Sequence, residues 1–371
     1  MIQAVPYQSN KIWYFKFTTN NETFEILEIL GRGSFGTVYK IKNVETKEYF
    51  VIKIFNLTNY KGKLNDFETE EEVKKDFDNE IRGHKLILES NMTGEERSYF
   101  TLYKYYGHYA QTNYFLIMDE YNSLPKYYNL TCDDSLQYFH QILNRLMILR
   151  KYNLFHGDLK YDNTFLTKDG KNIILGDLGT LNIINTKPEK FIQTVCISAP
   201  EVFLKTDNID NIDIIGAADI LLRMLTGNSF SLWHFICTNF KLDTDKVSVF
   251  TKEISTKYQH NYYKQFYILY VLSDKKKENT EILAHFLTNS KYGSDFILKE
   301  PLEPKVKGYT SLATETNLRS VFRNMFFLRL NHRITDNKID RILSIVHDCI
   351  EFSYRVRATP EEILDKYLDI F

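Results

Sequence analysis

The stretch His156-Gly157-Asp158-Leu159-Lys160-Tyr161-Asp162-Asn163, followed at short distance by Gly176-Asp177-Leu178-Gly179, decides how the rest of this chain is read. Upstream of it, Ser135 to Tyr152 carries apolar residues at Leu136, Phe139, Ile142, Leu143, Leu146 and Leu149, the spacing of an amphipathic helix. Downstream, Asp213 to Leu225 predicts a second apolar helix closed by Gly227. Most of the remainder, down to Pro360–Leu368, also has helical spacing.

The first 120 residues differ. Phe24 to Leu30 alternates apolar and polar residues and then meets glycines. Thr37 to Ile41 alternates again, and Tyr49 to Phe55 is rich in β-branched and aromatic residues. Thr101 to Tyr106 and Tyr114 to Met118 read as two more strands. Between them, Phe67 to Leu88 has helical spacing, with Phe77, Ile81 and Leu88 roughly on one face. The pattern predicts a small antiparallel sheet with one helix, followed by a larger, mainly helical part.

Two signals lie in the β-rich part. In Gly31-Arg32-Gly33-Ser34-Phe35-Gly36-Thr37-Val38, glycines let backbone N–H groups approach phosphate oxygens without a Cβ clash. Alone, this GxGxxG fits an ordinary glycine-rich hairpin equally well. A dinucleotide-binding unit needs a helix after it, and a strand follows here. The second signal is Lys53 in Phe50-Val51-Ile52-Lys53, on the next strand, where its ammonium could reach phosphates.

In this order, the glycine loop, strand lysine, His156–Asn163 and Asp177–Gly179 resemble the eukaryotic-type protein kinases, divergent in carrying HGD for HRD. Three further matches extend the likeness. Ala199-Pro200-Glu201 resembles the APE segment, Asp213 to Gly227 the DxWSLGVxLxEMLTG helix, and Arg357 to Leu364 the RxTxxExL segment. The resemblance runs from Phe24 to Phe371. It implies an α+β, bilobal kinase-like fold: a small antiparallel lobe with one helix over 24–121 and a mainly helical lobe over 122–371. Within the latter, 228–339 is an extended, divergent helical region. Residues 1–23 stand apart as an N-terminal extension.

The resemblance also implies roles. Gly31, Gly33, Ser34, Phe35, Gly36 and Val38 would cover the phosphates of ATP, and Lys53 would grip the α/β-phosphates, held by Glu80. Val51, Met118 as gatekeeper, Glu120 and Tyr121 as hinge, and Phe165 would surround adenine. Asp177 and Asn163 would hold Mg²⁺ or Mn²⁺, which favour hard oxygen ligands. Asp158 would accept or orient the substrate's hydroxyl proton, and Lys160 would neutralise the migrating phosphoryl. Lys160 and Thr194 resemble the Ser/Thr pattern, so the partner implied is a protein substrate carrying Ser or Thr. Glu201 and Arg357 would form a buried, architectural ion pair.

Several positions depart from the pattern. Gly157 replaces the Arg that pairs with an activation-loop phosphate, which implies activity independent of such phosphorylation. Leu178 replaces Phe, Val51 replaces Ala, and Ile197 replaces a Tyr; all three are mild. Glu80 lies 27 positions after Lys53, a long gap, and Glu68, Glu70, Glu71 and Glu72 compete for its role. In this register His84 falls at a position normally apolar, where a packed core histidine is commoner than a pH switch. Lys275-Lys276-Lys277 reads as a solvated loop or as a docking surface.

Bulk properties agree. A chain of 371 residues with 43% hydrophobic content buries a sizeable core, and 47 basic against 48 acidic residues give no global field for nucleic acid or anionic membranes. Cys132, Cys196, Cys237 and Cys349 form no CxxC pair, as suits free thiols in a reducing compartment, cytoplasm or nucleus. The start has no apolar export region, and no run of ~18 apolar residues suggests a membrane span. Three alternatives compete: a pseudokinase scaffold, which usually lacks one of Lys53, Asp158, Asn163 or Asp177; a small-molecule kinase, which generally lacks the APE segment; and a dual-specificity or tyrosine kinase, which Lys160 and Thr194 disfavour.

Overall fold

The computed structural model describes residues 1–33, 36–56, 69–109, 112–126, 129–186, 199, 211–226, 335–351 and 357–371. Ser34, Phe35, Glu68, Thr194, Cys196, Ile197, Pro200, Glu201, Gly227, Cys237, Lys275 to Lys277 and most of 228–339 lie outside them. The chain divides into two compact units. One comprises residues 1–123 and 165–181, the other 124–164 and 182–371.

The first unit is built on seven strands: β1 (Ile2–Ser9), β2 (Ile12–Phe17), β3 (Thr23–Gly33), β4 (Gly36–Asn43), β5 (Tyr49–Phe55), β6 (Tyr103–Tyr109) and β7 (Asn113–Asp119). They close into a barrel in the order β1-β2-β3-β4-β5-β7-β6. The five strands expected from sequence pair antiparallel within it, in the order β3-β4-β5-β7-β6, and the closure by β1 and β2 was not expected. Residues 2–17, set apart there as an extension, supply two strands. The closing pair, β1 with β6, is parallel, with Ile2 opposite Gly107. Closure depends on that glycine, because a Cβ on Gly107 would lie 1.8 Å from the Ile2 carbonyl oxygen. The physical cause of closure is aromatic: Phe15 and Phe17 of β2 are fully buried against Phe24, Tyr105, Tyr109 and Phe115. Closure also removes exposed sheet edges, a hazard for strands this hydrophobic.

Strand alternation then sorts β5 into two faces. Phe50, Ile52 and Ile54 fill the barrel with Phe15, Phe17, Phe24, Ile41, Phe115 and Ile117. Val51, Lys53 and Phe55 point the other way. Phe55 and Leu116 pack there against Val73, Phe77 and Ile81 of helix α1 (Glu70–Leu88). A capping box starts α1: the Thr69 hydroxyl accepts the Glu72 N–H and the Glu72 side chain accepts the Thr69 N–H. Glu70 to Glu72 suit this end, where the helix dipole favours negative charge. A short helix, α2 (Gly94–Arg97), precedes β6.

The second unit is held by α3 (Cys132–Lys151), whose Leu136, Phe139, Ile142, Leu143, Leu146 and Leu149 are all buried. Helix α4 (Asp213–Thr226) is apolar on nearly every side and correspondingly buried from Ile214 to Leu222. Helix α5 (Asp336–Ile350) and α6 (Pro360–Lys366) follow, the latter with a Thr359–Glu362 capping box and Pro360 in its first turn. Arg357, 3% exposed, donates through Nε to the Glu351 carbonyl at 2.8 Å. Cys132 and Cys349 are buried free thiols. No described helix is long and apolar enough to cross a membrane.

Candidate active site

In the first unit, strand register gathers the residues singled out from sequence. Gly31 of β3 pairs with Val38 of β4, Val38 with Lys53 of β5, and Val51 with Met118 of β7. Directly paired residues of antiparallel strands share a face, so Gly31, Val38, Val51, Lys53 and Met118 present one surface. The two hairpin glycines differ in kind. Gly36 has φ +136°, and a Cβ there would lie 2.0 Å from the Ile54 carbonyl oxygen. Gly31 has no such need, since a Cβ there would meet nothing within 4 Å. The protein's own packing therefore demands glycine at 36 and not at 31.

Lys53 is the centre of this unit's charge. Its Nζ lies 2.9 Å from Glu80 Oε2 and 2.7 Å from Asp177 Oδ1, with side-chain exposures of 12%, 4% and 27% for the three. Burial opposes the charge on Lys53, but Asp177 and Glu80 outweigh it and hold its pKa above the usual lysine value. Burial likewise opposes the Glu80 carboxylate, and Lys53, then His84, outweigh it and hold its pKa well below the usual range. Glu70, Glu71 and Glu72 are exposed, and Glu72 is committed to the helix cap. Glu80 sits instead on the buried stripe with Val73, Phe77, Ile81, His84 and Ile87.

The Asp177 segment is fitted closely to α1. Asp177 has φ 61° and ψ 71°, and a single turn of 3-10 helix over Leu178–Thr180 follows. The Leu178 N–H donates to Glu80 Oε1 at 3.2 Å, and Arg82 Nη2 donates to the Leu181 carbonyl at 3.0 Å. Gly83 lets the helix approach, since a Cβ there would lie 1.9 Å from the Leu178 carbonyl oxygen. Leu178 itself is fully buried. Of the remaining residues, Glu120 pairs with Lys40 at 2.5 Å and Lys168 at 3.7 Å. Tyr121 follows it, half-buried. Phe165, on the short strand β9 (Thr164–Leu166), pairs with Ser123 of β8 (Asn122–Ser123), and its ring covers Gly176.

In the second unit, Asp158, Lys160 and Asn163 form one cluster. Lys160 Nζ lies 2.6 Å from Asp158 Oδ2, while Asn163 Nδ2 donates to the Asp158 carbonyl at 2.9 Å. Asp158 is 4% exposed and Asn163 6%. The loop that carries them is held from beneath by Asp213, at the start of α4. Its two oxygens accept the N–H groups of His156 at 2.6 Å and Gly157 at 2.9 Å. Burial pushes the Asp213 carboxyl pKa upward, against His156 and the two N–H groups. Gly157 has φ +85°, a conformation that favours glycine. Gly216 completes the fit, as a Cβ there would lie 2.2 Å from the Leu159 carbonyl oxygen.

Sequence reading did not foresee the His84 contact with Glu80, the Asp213 support or the close approaches at Gly83 and Gly216. A glycine inside a helix, at 83 and again at 216, was the available signal, since it costs about 1 kcal/mol unless packing requires it. Chemically, a buried ammonium between two carboxylates offers fixed positive charge for an anion, and partly exposed Asp177 offers an oxygen for a cation. Among the described residues no group of three or more His, Cys, Asp or Glu forms a metal cage. Mg²⁺ needs none, because it binds through one or two carboxylates together with substrate phosphates. Asp177, partly exposed, is a carboxylate of that kind in the first unit.

Comparison with known proteins agrees with this chemistry. The family model described as "Protein kinase domain" matches residues 24–368. The chain is 30% identical over 217 residues to "Probable serine/threonine-protein kinase dyrk2" of Dictyostelium discoideum, covering 55% of this chain and 22% of that protein. It is 28% identical over 216 residues to "Serine/threonine-protein kinase 1" of Arabidopsis thaliana, covering 55% and 23%. It is also 28% identical over 212 residues to "Dual specificity tyrosine-phosphorylation-regulated kinase 2" of Drosophila melanogaster, covering 55% and 27%. The match thus spans about a quarter of these relatives' length.

Proposed function

The chain belongs to the protein kinase domain family, and from that premise we propose that it is an active kinase that transfers the γ-phosphoryl of ATP to serine or threonine hydroxyls of a protein substrate. The observation that carries this reading is Lys53, held at 2.9 Å by Glu80 and at 2.7 Å by Asp177. A buried lysine fixed between two carboxylates is a costly arrangement to keep for architecture alone.

In this reading Lys53 neutralises the α/β-phosphates, and the Gly31–Val38 hairpin covers them with backbone N–H groups. Val38, Val51, Met118 and Phe165 supply apolar surface for adenine, beside the backbone of Glu120 and Tyr121. Asp177 and Asn163 would hold Mg²⁺ or Mn²⁺, which would supply charge neutralisation on the phosphates. Asp158 accepts the proton of the substrate hydroxyl as its oxygen attacks the γ-phosphorus. The bond from that phosphorus to the β–γ bridging oxygen breaks, and ADP leaves. Lys160 offsets the charge on the phosphoryl in transit.

Retention of Lys53, Asp158, Asn163 and Asp177 together opposes a pseudokinase scaffold. Lys160, Thr194 and the names of the first two relatives favour Ser/Thr substrates. A dual-specificity activity is the second reading, favoured by the printed name of the Drosophila relative. Incubation with γ-labelled ATP, Mg²⁺ and a generic protein substrate, followed by phosphoamino-acid analysis, separates them. Label on serine and threonine supports the proposal, additional phosphotyrosine supports the second reading, and absence of label from protein sinks both.

A further inference from the structure

Helix α1 buries three polar side chains at four-residue spacing, Asp76, Glu80 and His84, and the proposed chemistry uses only Glu80. The deepest of them, His84, is 0% exposed. Its Nδ1 accepts the backbone N–H of Tyr103, on β6, at 3.1 Å. A backbone N–H can only donate, so Nδ1 carries no proton and the neutral ring's proton sits on Nε2. That Nε2 lies 3.4 Å from Glu80 Oε1, its charged neighbour, and has no hydrogen-bond partner among the described residues, so it is a buried donor aimed at that carboxylate with no bond yet formed. The Tyr103 ring lies against the imidazole, with centroids 5.3 Å apart, and limits its rotation. Glu80 thus meets Lys53 at Oε2, and the Leu178 N–H and the His84 ring at Oε1.

We propose that His84 is a positioning residue for the proposed phosphoryl transfer: through Nε2–H it orients the Glu80 carboxylate toward Lys53 and indexes α1 to the backbone of β6. An apolar side chain at 84 would fill the space but leave Oε1 with one donor fewer. Separations of this length shorten in many sites when the ligand binds. The inference rests on the kinase reading for the role of Glu80, whereas the tautomer does not.

The test is a cycle of His84→Leu, His84→Gln, Glu80→Gln and the His84→Leu/Glu80→Gln double variant. His84→Leu should lower kcat/KM for ATP about 10- to 100-fold, with the KM for protein substrate nearly unchanged, and should lower the melting temperature as well, because the Tyr103 N–H loses its acceptor. His84→Gln, whose amide nitrogen reaches the same place as Nε2, should recover most of that loss. In the Glu80→Gln background, His84→Leu should add little. Wild-type kinetics in His84→Leu, or losses that multiply in the double variant, overturn the proposal. Nitrogen-15 spectra of the imidazole provide a second reading that needs no catalysis. They should report the Nε2–H tautomer, with a shift that moves in Glu80→Gln; an Nδ1–H tautomer or an indifferent shift overturns the proposal. If the wild-type chain transfers no phosphoryl at all, the kinase reading fails while these spectra still decide the role of His84.

Discussion

Lys53 and Glu80 are 27 positions apart in the chain and 2.9 Å apart in the fold. That gap is long for a strand lysine and its helix partner. The fold removes the difficulty, because Lys53 shares the outer face of β5 with Phe55, which packs directly on α1. A helix lying on that face brings its buried stripe to the lysine, and Glu80 is the glutamate on that stripe.

The pair gives a stability prediction. Lys53→Met leaves a buried carboxylate without its cation and should cost about 3–5 kcal/mol. Glu80→Gln leaves Lys53 with Asp177 and should cost less, about 1–3 kcal/mol. The pKa of Glu80 is depressed in the fold, so its contribution is fully present above the unfolded value of about 4.3 and is lost as pH falls through the lower folded value. Urea unfolding at neutral pH and in acid should therefore show the gap between wild type and Glu80→Gln narrowing below about pH 4.3. A gap that widens in acid would contradict the account.

The two hairpin glycines should respond differently to alanine. At Gly36 a Cβ would strike the Ile54 carbonyl and the backbone sits at φ +136°. Gly36→Ala should destabilise the protein by more than ~1 kcal/mol. Gly31→Ala meets nothing in the fold. It should leave the melting temperature unchanged and weaken binding of an ATP analogue, because the methyl group would stand where phosphates approach. Calorimetric melting and nucleotide titration of the two variants check this. Equal nucleotide affinity in Gly31→Ala and wild type would remove the hairpin from the proposed site.

Gly157 carries two predictions of its own. Its φ of +85° means that Gly157→Ala should lose about 1–2 kcal/mol in unfolding experiments. Lacking an arginine here, the chain has no side chain at this position to read an activation-loop phosphate. Phosphatase-treated and untreated enzyme should accordingly transfer phosphoryl at the same rate, and a large loss on treatment would overturn that reading.

Much of this was legible in the sequence where the periodicity was clean. The α3 stripe from Leu136 to Leu149 is buried residue for residue, and the five strands from Phe24 to Met118 are present. The barrel was not legible, because its closure rests on where the Trp13–Phe17 aromatics go, and alternation alone does not say which partner a strand will find. Lys53 and Glu80 were named from their motifs, but only packing separates Glu80 from Glu72, which caps the helix. His84 and Asp213 escaped notice as site residues for a related reason. A histidine on an apolar stripe and an aspartate at a helix start look ordinary until the groups they hold are in place.

The central claim is that Asp158 serves the transfer of a phosphoryl group from ATP that Lys53 and Asp177 help to bind. The most direct test measures transfer from labelled ATP and nucleotide affinity side by side in wild type and Asp158→Asn. The account predicts a fall in transfer of at least about 100-fold, with ATP affinity nearly unchanged. Wild-type transfer by Asp158→Asn, or a loss of transfer matched by an equal loss of nucleotide binding, would contradict it.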